Sequence, residues 1–251
     1  MIMKKVLQAI QRIKVASHIA ERNGERLTVC FSGGKDSQVM LHLVQRAGVP
    51  FRAVYNVTTI DHPLNVNFIR TNYPIVDFVH PELNFWDLCK KKKALPTMKK
   101  RFCCSYLKES SAGYIKAIGV RREESNKRKN YEVAQYEHKG KRIRFYPIID
   151  WLEWEVWEYI EDNSIPVNPC YDFGTRVGCM VCPFASTKQL IARFDEFPAL
   201  RDKMLRLISD LRRGSRFASD YPDKTNEELL ACWMSKKSMR EYFQPEFDFE
   251  K

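Results

Sequence analysis

Residues 32–37 read Ser-Gly-Gly-Lys-Asp-Ser, and their flanks limit the fold more than any other feature of the chain. Before the loop stands a short apolar run, residues 27–31 (LTVCF), which suits a buried parallel strand. After it, residues 38–48 (QVMLHLVQRAG) have apolar side chains at helical spacing and close on a glycine. A strand, a glycine loop and a helix open a parallel α/β sheet. Two adjacent glycines permit positive φ and let backbone N–H groups approach an anion with no Cβ in the way. The helix beginning near Asp36 points its positive dipole end at the same place. Lys35 adds a mobile cation, and the hydroxyls of Ser32 and Ser37 add donors. The six residues predict a phosphate grip. They do not fit GxxxxGK followed by Ser or Thr, so the loop is not a Walker A loop.

The rest of the chain repeats the alternation. Residues 1–22 form an amphipathic helix stopped by Asn23-Gly24. Residues 51–57 and 75–79 are strands, with a helix from Pro63 to Asn72 between them. The pattern predicts a doubly wound, mainly parallel sheet. Beyond Pro81 it is less regular. Helices are expected over residues 84–95 and 105–111, and a strand over 114–120. A charged interruption follows at 121–130, then a strand ending within 145–151 and a helix over 153–163. A loop rich in Pro and Gly spans 165–183, and helices fill the remainder. The expected domains are residues 1–184, a nucleotide-binding α/β domain that also holds the cysteine site, and 185–251, a helical extension.

Lys and Arg exceed Asp and Glu by eleven, which calls for anionic partners: nucleotide phosphates, nucleic acid, or both. The densest basic stretch is residues 90–93 with Lys99, Lys100 and Arg101; a solvated helix face explains it as readily as a phosphate surface. No apolar run reaches the roughly 18 residues that cross a bilayer. The charge-interrupted first 22 residues lack the apolar stretch and cleavage site of a signal peptide, so a cytoplasmic protein with no membrane partner is expected. In a reducing compartment grouped cysteines mean metal or redox chemistry. Cys103 and Cys104 are adjacent, and Cys179 and Cys182 form CxxC. Four thiolates suit a [4Fe–4S] cluster or zinc, and thiols without metal are the third reading. Cys170 is a rival ligand or a small core side chain; Cys30, Cys89 and Cys232 read as core.

The loop FSGGKDSQVMLHL resembles that of the PP-loop ATP pyrophosphatase superfamily, whose members bind ATP and cleave between its α and β phosphates. Later segments are similar to the phosphoadenosine phosphosulfate (PAPS) reductase branch. GVRREES, residues 119–125, resembles a GxRRxxS element that contacts the anionic substrate, and IPVNPCYDFGTRVGCMVCP resembles the segment carrying that family's CxxC. A CC pair plus CxxC resembles the cluster-binding pattern of adenylyl sulfate (APS) reductases. The resemblance implies catalytic roles for Lys35, Asp36, Arg121 and Arg122. It implies nucleotide contacts from Ser32, Gly33, Gly34, Ser37, Thr58, Thr59 and Arg128, and metal ligation by Cys103, Cys104, Cys179 and Cys182. Lys35 and Asp36 would orient the phosphates and a Mg²⁺.

The resemblance breaks in two places. Sulfonucleotide reductases use a late cysteine in an ECGxH-like tail, and no cysteine follows Cys232 here. Their phosphate loop also tends to be eroded, whereas SGGKDS is intact. Both departures point to ATP use, as in sulfur-inserting enzymes acting on tRNA or DNA. The expected function is therefore adenylation with pyrophosphate release, coupled to sulfur transfer. That implies a nucleic-acid acceptor and a protein sulfur donor or thiol reductant. The alternatives are a true PAPS or APS reductase and a protein that senses ATP without turnover.

Overall fold

In the computed structural model, residues 2–109, 113–138, 141–172 and 177–244 are described. Six strands form one sheet: β1 Leu27–Cys30, β2 Phe51–Asn56, β3 Val76–Val79, β4 Ile115–Ile118, β5 Ala134–Glu137 and β6 Arg142–Phe145. Their order is β3-β2-β1-β4-β6-β5. Five are parallel, and β5 runs antiparallel against β6 at the edge. The mainly parallel sheet matches the expectation. β5 was not foreseen: it is half-exposed and contains Gln135 and Glu137, since an edge strand needs little apolar content.

The chain divides into two compact units. The first comprises Met1–Val57, Asp61–His80 and Ser110–Gly178. It holds the sheet with helices α1 Ile2–Arg22, α2 Lys35–Ala47, α3 Pro63–Asn72 and, numbered in chain order, α5 Glu153–Asp162. α1 buries Val6, Ala9, Ile13, Ala16 and Ala20, one stripe at helical spacing, and α2 closes on Gly48 at φ +64°. Val29, at the middle of β1, pairs in register with Ala53 on one side and Ala117 on the other. All three are buried, as both-faced covering of a parallel sheet requires.

The second unit comprises Thr58–Ile60, Pro81–Glu109 and Cys179–Lys251. Its helices are α4 Phe85–Lys92, α6 Thr187–Glu196, α7 Pro198–Gly214, α8 Asn226–Ser235 and α9 Met239–Phe243. They surround their own apolar core, in which Leu88, Phe194, Met204, Ile208 and Leu230 are buried. Ser186, Thr225 and Ser238 each cap a helix in reciprocal pairs with Gln189, Glu228 and Glu241. The helix expected over 105–111 is a π-helical turn, Cys104–Lys108; residues 110 and 111 lie outside the described ones. No described helix is long and apolar enough to cross a membrane.

Candidate functional site

The loop 32–37 leaves the carboxyl end of β1, between β2 and β4, where the sheet order reverses. In open parallel sheets that crevice is where ligands collect. Gly33 has φ +78°, and a Cβ there would stand 2.2 Å from Asn65 Oδ1, so conformation and space both require glycine. Buried amides hold the turn. Asn168 Nδ2 donates to Gly33 O at 2.8 Å and to Asn65 Oδ1 at 2.7 Å. Asn168 Oδ1 accepts from Cys170 N–H, and Asn65 Nδ2 donates to Ser32 O. Ser37 Oγ donates to Gly34 O at 2.7 Å and accepts from Ser32 N–H, closing the loop on the start of α2. Tyr171 OH accepts from Lys35 N–H at 2.9 Å. Loop 32–37 is thus fixed by neutral hydrogen bonds from residues far along the chain.

The charges around the loop are balanced. Lys35 Nζ lies 3.4 Å from Asp36 Oδ2 and 3.5 Å from Glu153 Oε1, and 5.9 Å from the ring centres of Trp157 and Tyr171. Arg121, with its side chain 2% exposed, donates through Nε to Asp36 Oδ1 at 2.5 Å and through Nη1 to Glu123 at 2.7 Å. Burial works against the charge of Arg121, but Asp36, Glu124 and Glu153 outweigh it and its pKa is raised. Gly119 explains why the arginine segment begins with glycine. A Cβ there would stand 2.5 Å from Asp36 O, so only a bare backbone lets the end of β4 lie against α2. Arg122 pairs with Asp150 and donates to Tyr131 O, while Arg128 pairs with Glu124. The structure therefore brings Lys35, Asp36 and Arg121 together. It places Arg122 and Arg128 on carboxylates of their own.

Thr58 and Thr59 belong to the second unit. Thr59 has φ +63°, and its Oγ1 accepts from Phe85 N–H at 2.8 Å, which fixes the start of α4. Thr58 is buried, and its Oγ1 shares a hydrogen bond of 3.5 Å with Cys179 Sγ.

All four cysteines of the two tight groups also lie in the second unit, whereas Cys170 is buried in the first. The thiols sense one another. Cys103 donates to Cys104, which holds the Cys104 pKa down to about 6 against the effect of burial, with help from the charges of Lys108 and Arg101. Cys103 is raised by that same bond, by burial, and by the negative charges of Cys104, Cys179 and Cys182. Lys108 is raised, chiefly by the charge of Cys179, to which it is hydrogen-bonded. The guanidinium of Arg193 donates to Cys179 O and Met180 O at 3.1 and 3.0 Å and so supports the CxxC turn. Among the described residues, no group of three or more His, Cys, Asp or Glu side chains stands in a geometry that could hold a metal ion. The donor chemistry nonetheless fits a thiolate-bound centre: four thiols within each other's fields, with a cation beside them.

Asn65, Asn168, Tyr171, Glu153 and Lys108 were not anticipated from the sequence. The segment NPCYD contained two of them, and Lys108 stood four residues past Cys104.

A family model described as the phosphoadenosine phosphosulfate reductase domain matches residues 26–185. The chain belongs to that family. The PAPS reductase family is one of nucleotide-binding enzymes of sulfur metabolism, and the match covers the loop, the arginine segment and both cysteine groups. An uncharacterized protein of Methanocaldococcus jannaschii is 28% identical over 243 residues, 88% of this chain and 58% of that protein. The chain thus spans less than two thirds of that relative. The adenosine 5′-phosphosulfate reductase of Bacillus cereus is 29% identical over 175 residues, 64% of this chain and 74% of that one. Among solved structures, a PAPS reductase of Candida auris in phosphate complex gives a TM-score of 0.47 at 20% identity, over 61% of this chain and 80% of that one. An FMN adenylyltransferase of Candida glabrata in complex with ATP gives 0.46 at 18%, over 71% and 62%. Both scores are too low for either ligand to be carried over to this chain.

Proposed function

We propose that the first unit binds ATP with its phosphates on loop 32–37 and transfers the adenylyl group to an acceptor oxygen. The acceptor oxygen attacks the α-phosphorus, the bond to the bridging oxygen of the β-phosphate breaks, and pyrophosphate leaves with the electron pair. A sulfide-level sulfur nucleophile from a donor protein, passed on at the four cysteines, would then attack the acceptor atom bearing the adenylylated oxygen, and AMP would leave with that oxygen and the electron pair of the broken bond. The buttressed loop supports this reading most: an intact glycine turn, fixed by Asn65, Asn168 and Ser37, with Lys35 beside it. Such a turn suits the β and γ phosphates of a triphosphate. Lys35 would take the charge growing on pyrophosphate, and Asp36, steadied by Arg121, would orient a Mg²⁺. Arg122 and Arg128 would exchange their carboxylate partners for a phosphate or sulfate oxygen.

Cys103, Cys104, Cys179 and Cys182 would hold a [4Fe–4S] cluster, with zinc the alternative. A cluster bound there would supply a thiolate-ligated iron–sulfur surface for binding and relaying sulfur or electrons. Lys108 and Arg193 would hold Cys179 and offset negative charge.

The Bacillus relatives favour a second reading, reduction of a sulfonucleotide to sulfite. It requires an accessible thiolate, and Cys232 is buried with its pKa raised by that burial. One experiment separates the readings. Anaerobically purified chain is given Mg-ATP with RNA and DNA acceptors, or PAPS and APS with a dithiol. Acceptor-dependent pyrophosphate release is expected. Sulfite without pyrophosphate would overturn adenylation in favour of reduction. ATP binding with neither product would leave the sensing role.

A further inference from the structure

The second unit carries a basic face that the loop chemistry leaves unexplained. Between Pro81 and Glu109 there are eight Lys and Arg against three Asp and Glu. α4 ends in Lys90, Lys91 and Lys92, and Lys93 follows at φ +54°, turning the chain and fanning the ammonium groups into solvent. Lys99, Lys100 and Arg101 come next, all exposed, just before Cys103. Lys90 is paired with Asp210, and Lys99 is near Glu241. No described carboxylate pairs with Lys91, Lys92, Lys93, Lys100 or Arg101. The Arg101 guanidinium lies over the Phe184 ring, 5.1 Å from its centre, and that ring is 49% exposed.

We infer that this face docks single-stranded nucleic acid, its phosphates on the lysines and a base laid on the Arg101–Phe184 stack. The inference rests on the sulfur-transfer reading, for which it names the acceptor class. Exposed cations without carboxylate partners, together with a planar exposed stack, are what an unpaired strand recognises, because each base has a free π face. A duplex keeps its bases inside and would leave Phe184 unused. A lipid surface wants a broad apolar face, and among the described residues of this unit the large exposed apolar groups are four scattered in sequence, Met98, Phe184, Ile191 and Tyr242. The stack and the lysines adjoin Cys103 and Cys104 in sequence, so a bound strand would arrive beside the thiols.

The test is fluorescence anisotropy of labelled U20 RNA, dT20 DNA and a 20-base-pair duplex with the full chain purified anaerobically. U20, dT20 or both should bind more tightly than the duplex, and their ranking tells RNA from DNA. Between 50 and 200 mM salt the affinity should fall on the order of a hundredfold, as about five phosphate contacts require. Lys92→Glu with Lys100→Glu should weaken binding at least tenfold and flatten the salt dependence. Phe184→Ala should weaken it roughly tenfold with the salt slope kept, the loss of about one stacked base. Thermal melting and binding of a fluorescent ATP analogue confirm that both variants are folded. Equal affinity for duplex, no binding at 50 mM salt, or single-strand binding that neither variant changes would overturn the inference. So would variant-sensitive binding to anionic vesicles in place of oligonucleotides. Turnover is not needed: oligonucleotide binding without pyrophosphate release would sink adenylation and keep this surface, and the converse would sink the surface alone.

Discussion

The phosphate loop and the thiol group solve opposite problems. Around the loop, every anchoring contact is already satisfied: Asn168 serves Gly33, Asn65 and Cys170 at once, and Asp36 lies between Lys35 and Arg121. Neutral amides and matched charges hold the turn in place, which for the nucleotide site proposed here would be preorganisation. Among the thiols, like charges oppose one another. Cys103 is pushed up by its neighbours, and only one of the adjacent pair is held down. A bound cation would relieve that opposition. The loop is held by contacts already made; the thiols, on the reading proposed here, await a cation.

The sharpest way to break this comparison is to remove a thiol. Cys104→Ser or Cys182→Ser should abolish iron and sulfide in anaerobically purified protein, whereas Cys30→Ala should leave both in place. Elemental analysis and the visible spectrum decide it. Colourless wild type with one zinc per chain would replace the cluster by zinc and keep the ligands. Metal retained in both serine variants would remove the thiol group from metal binding altogether.

The next largest effect concerns the arginines. Arg121→Met leaves Asp36, which is largely buried, with one cation fewer; the other partners, Glu123 and Glu153, reach solvent. A destabilisation of about 2–3 kcal/mol is expected, below the full cost of breaking a buried pair. Arg122→Met breaks a half-exposed pair and should cost under about 1 kcal/mol. Urea unfolding of the two variants compares them directly. Similar values would mean that Arg121 is not the support of Asp36 described above.

Those arginines also mark what the sequence could and could not convey. SGGKDS announced a tight turn between strand and helix, where a glycine pair permits positive φ, and the parallel sheet followed from apolar runs separated by helices. Which arginine is buried could not be read: in GVRREES the two look alike, and only the close approach of Gly119 to Asp36 draws the first one inward. Asn65, Asn168 and Tyr171 were invisible for a related reason. They stand 33, 135 and 136 positions from the loop atoms they hold, and no local pattern marks such partners. Lys108 is exposed, and only its spacing from Cys104 hinted at its place beside the thiols. The cysteines were legible as pairs. Their gathering with Thr58 and Lys108 into a unit built from three separate segments was not.

Asn168→Ala tests the preorganised side of the comparison at a smaller scale. It leaves Gly33 O and Asn65 Oδ1 without their donor in a fully buried place, a loss of about 1–3 kcal/mol. Because the loss falls on the turn, affinity for an ATP analogue should drop by more than the folded fraction alone explains. Isothermal titration well below the melting temperature reads this. Unchanged affinity would show that the loop keeps its shape without the amide strut.

The smallest effect probes the opposed charges themselves. In chain freed of metal under reducing conditions, Cys104 should be the first thiol alkylated by iodoacetamide. With its pKa at about 6, the rate should rise through that pH and level off above about 7, while an ordinary thiol keeps gaining thiolate towards pH 8.5 or higher. Cys89, pushed up to about 12 by burial, should remain unlabelled until the chain unfolds. Lys108→Gln removes one of the cations that lower Cys104, so the midpoint should move upward, by less than the Cys103 hydrogen bond contributes. Cys103→Ala should move it further in the same direction. A midpoint near 9 in the wild type, or one that Lys108→Gln leaves in place, would mean that the thiols do not act on one another as a group, and the contrast with the loop would fail at its second term.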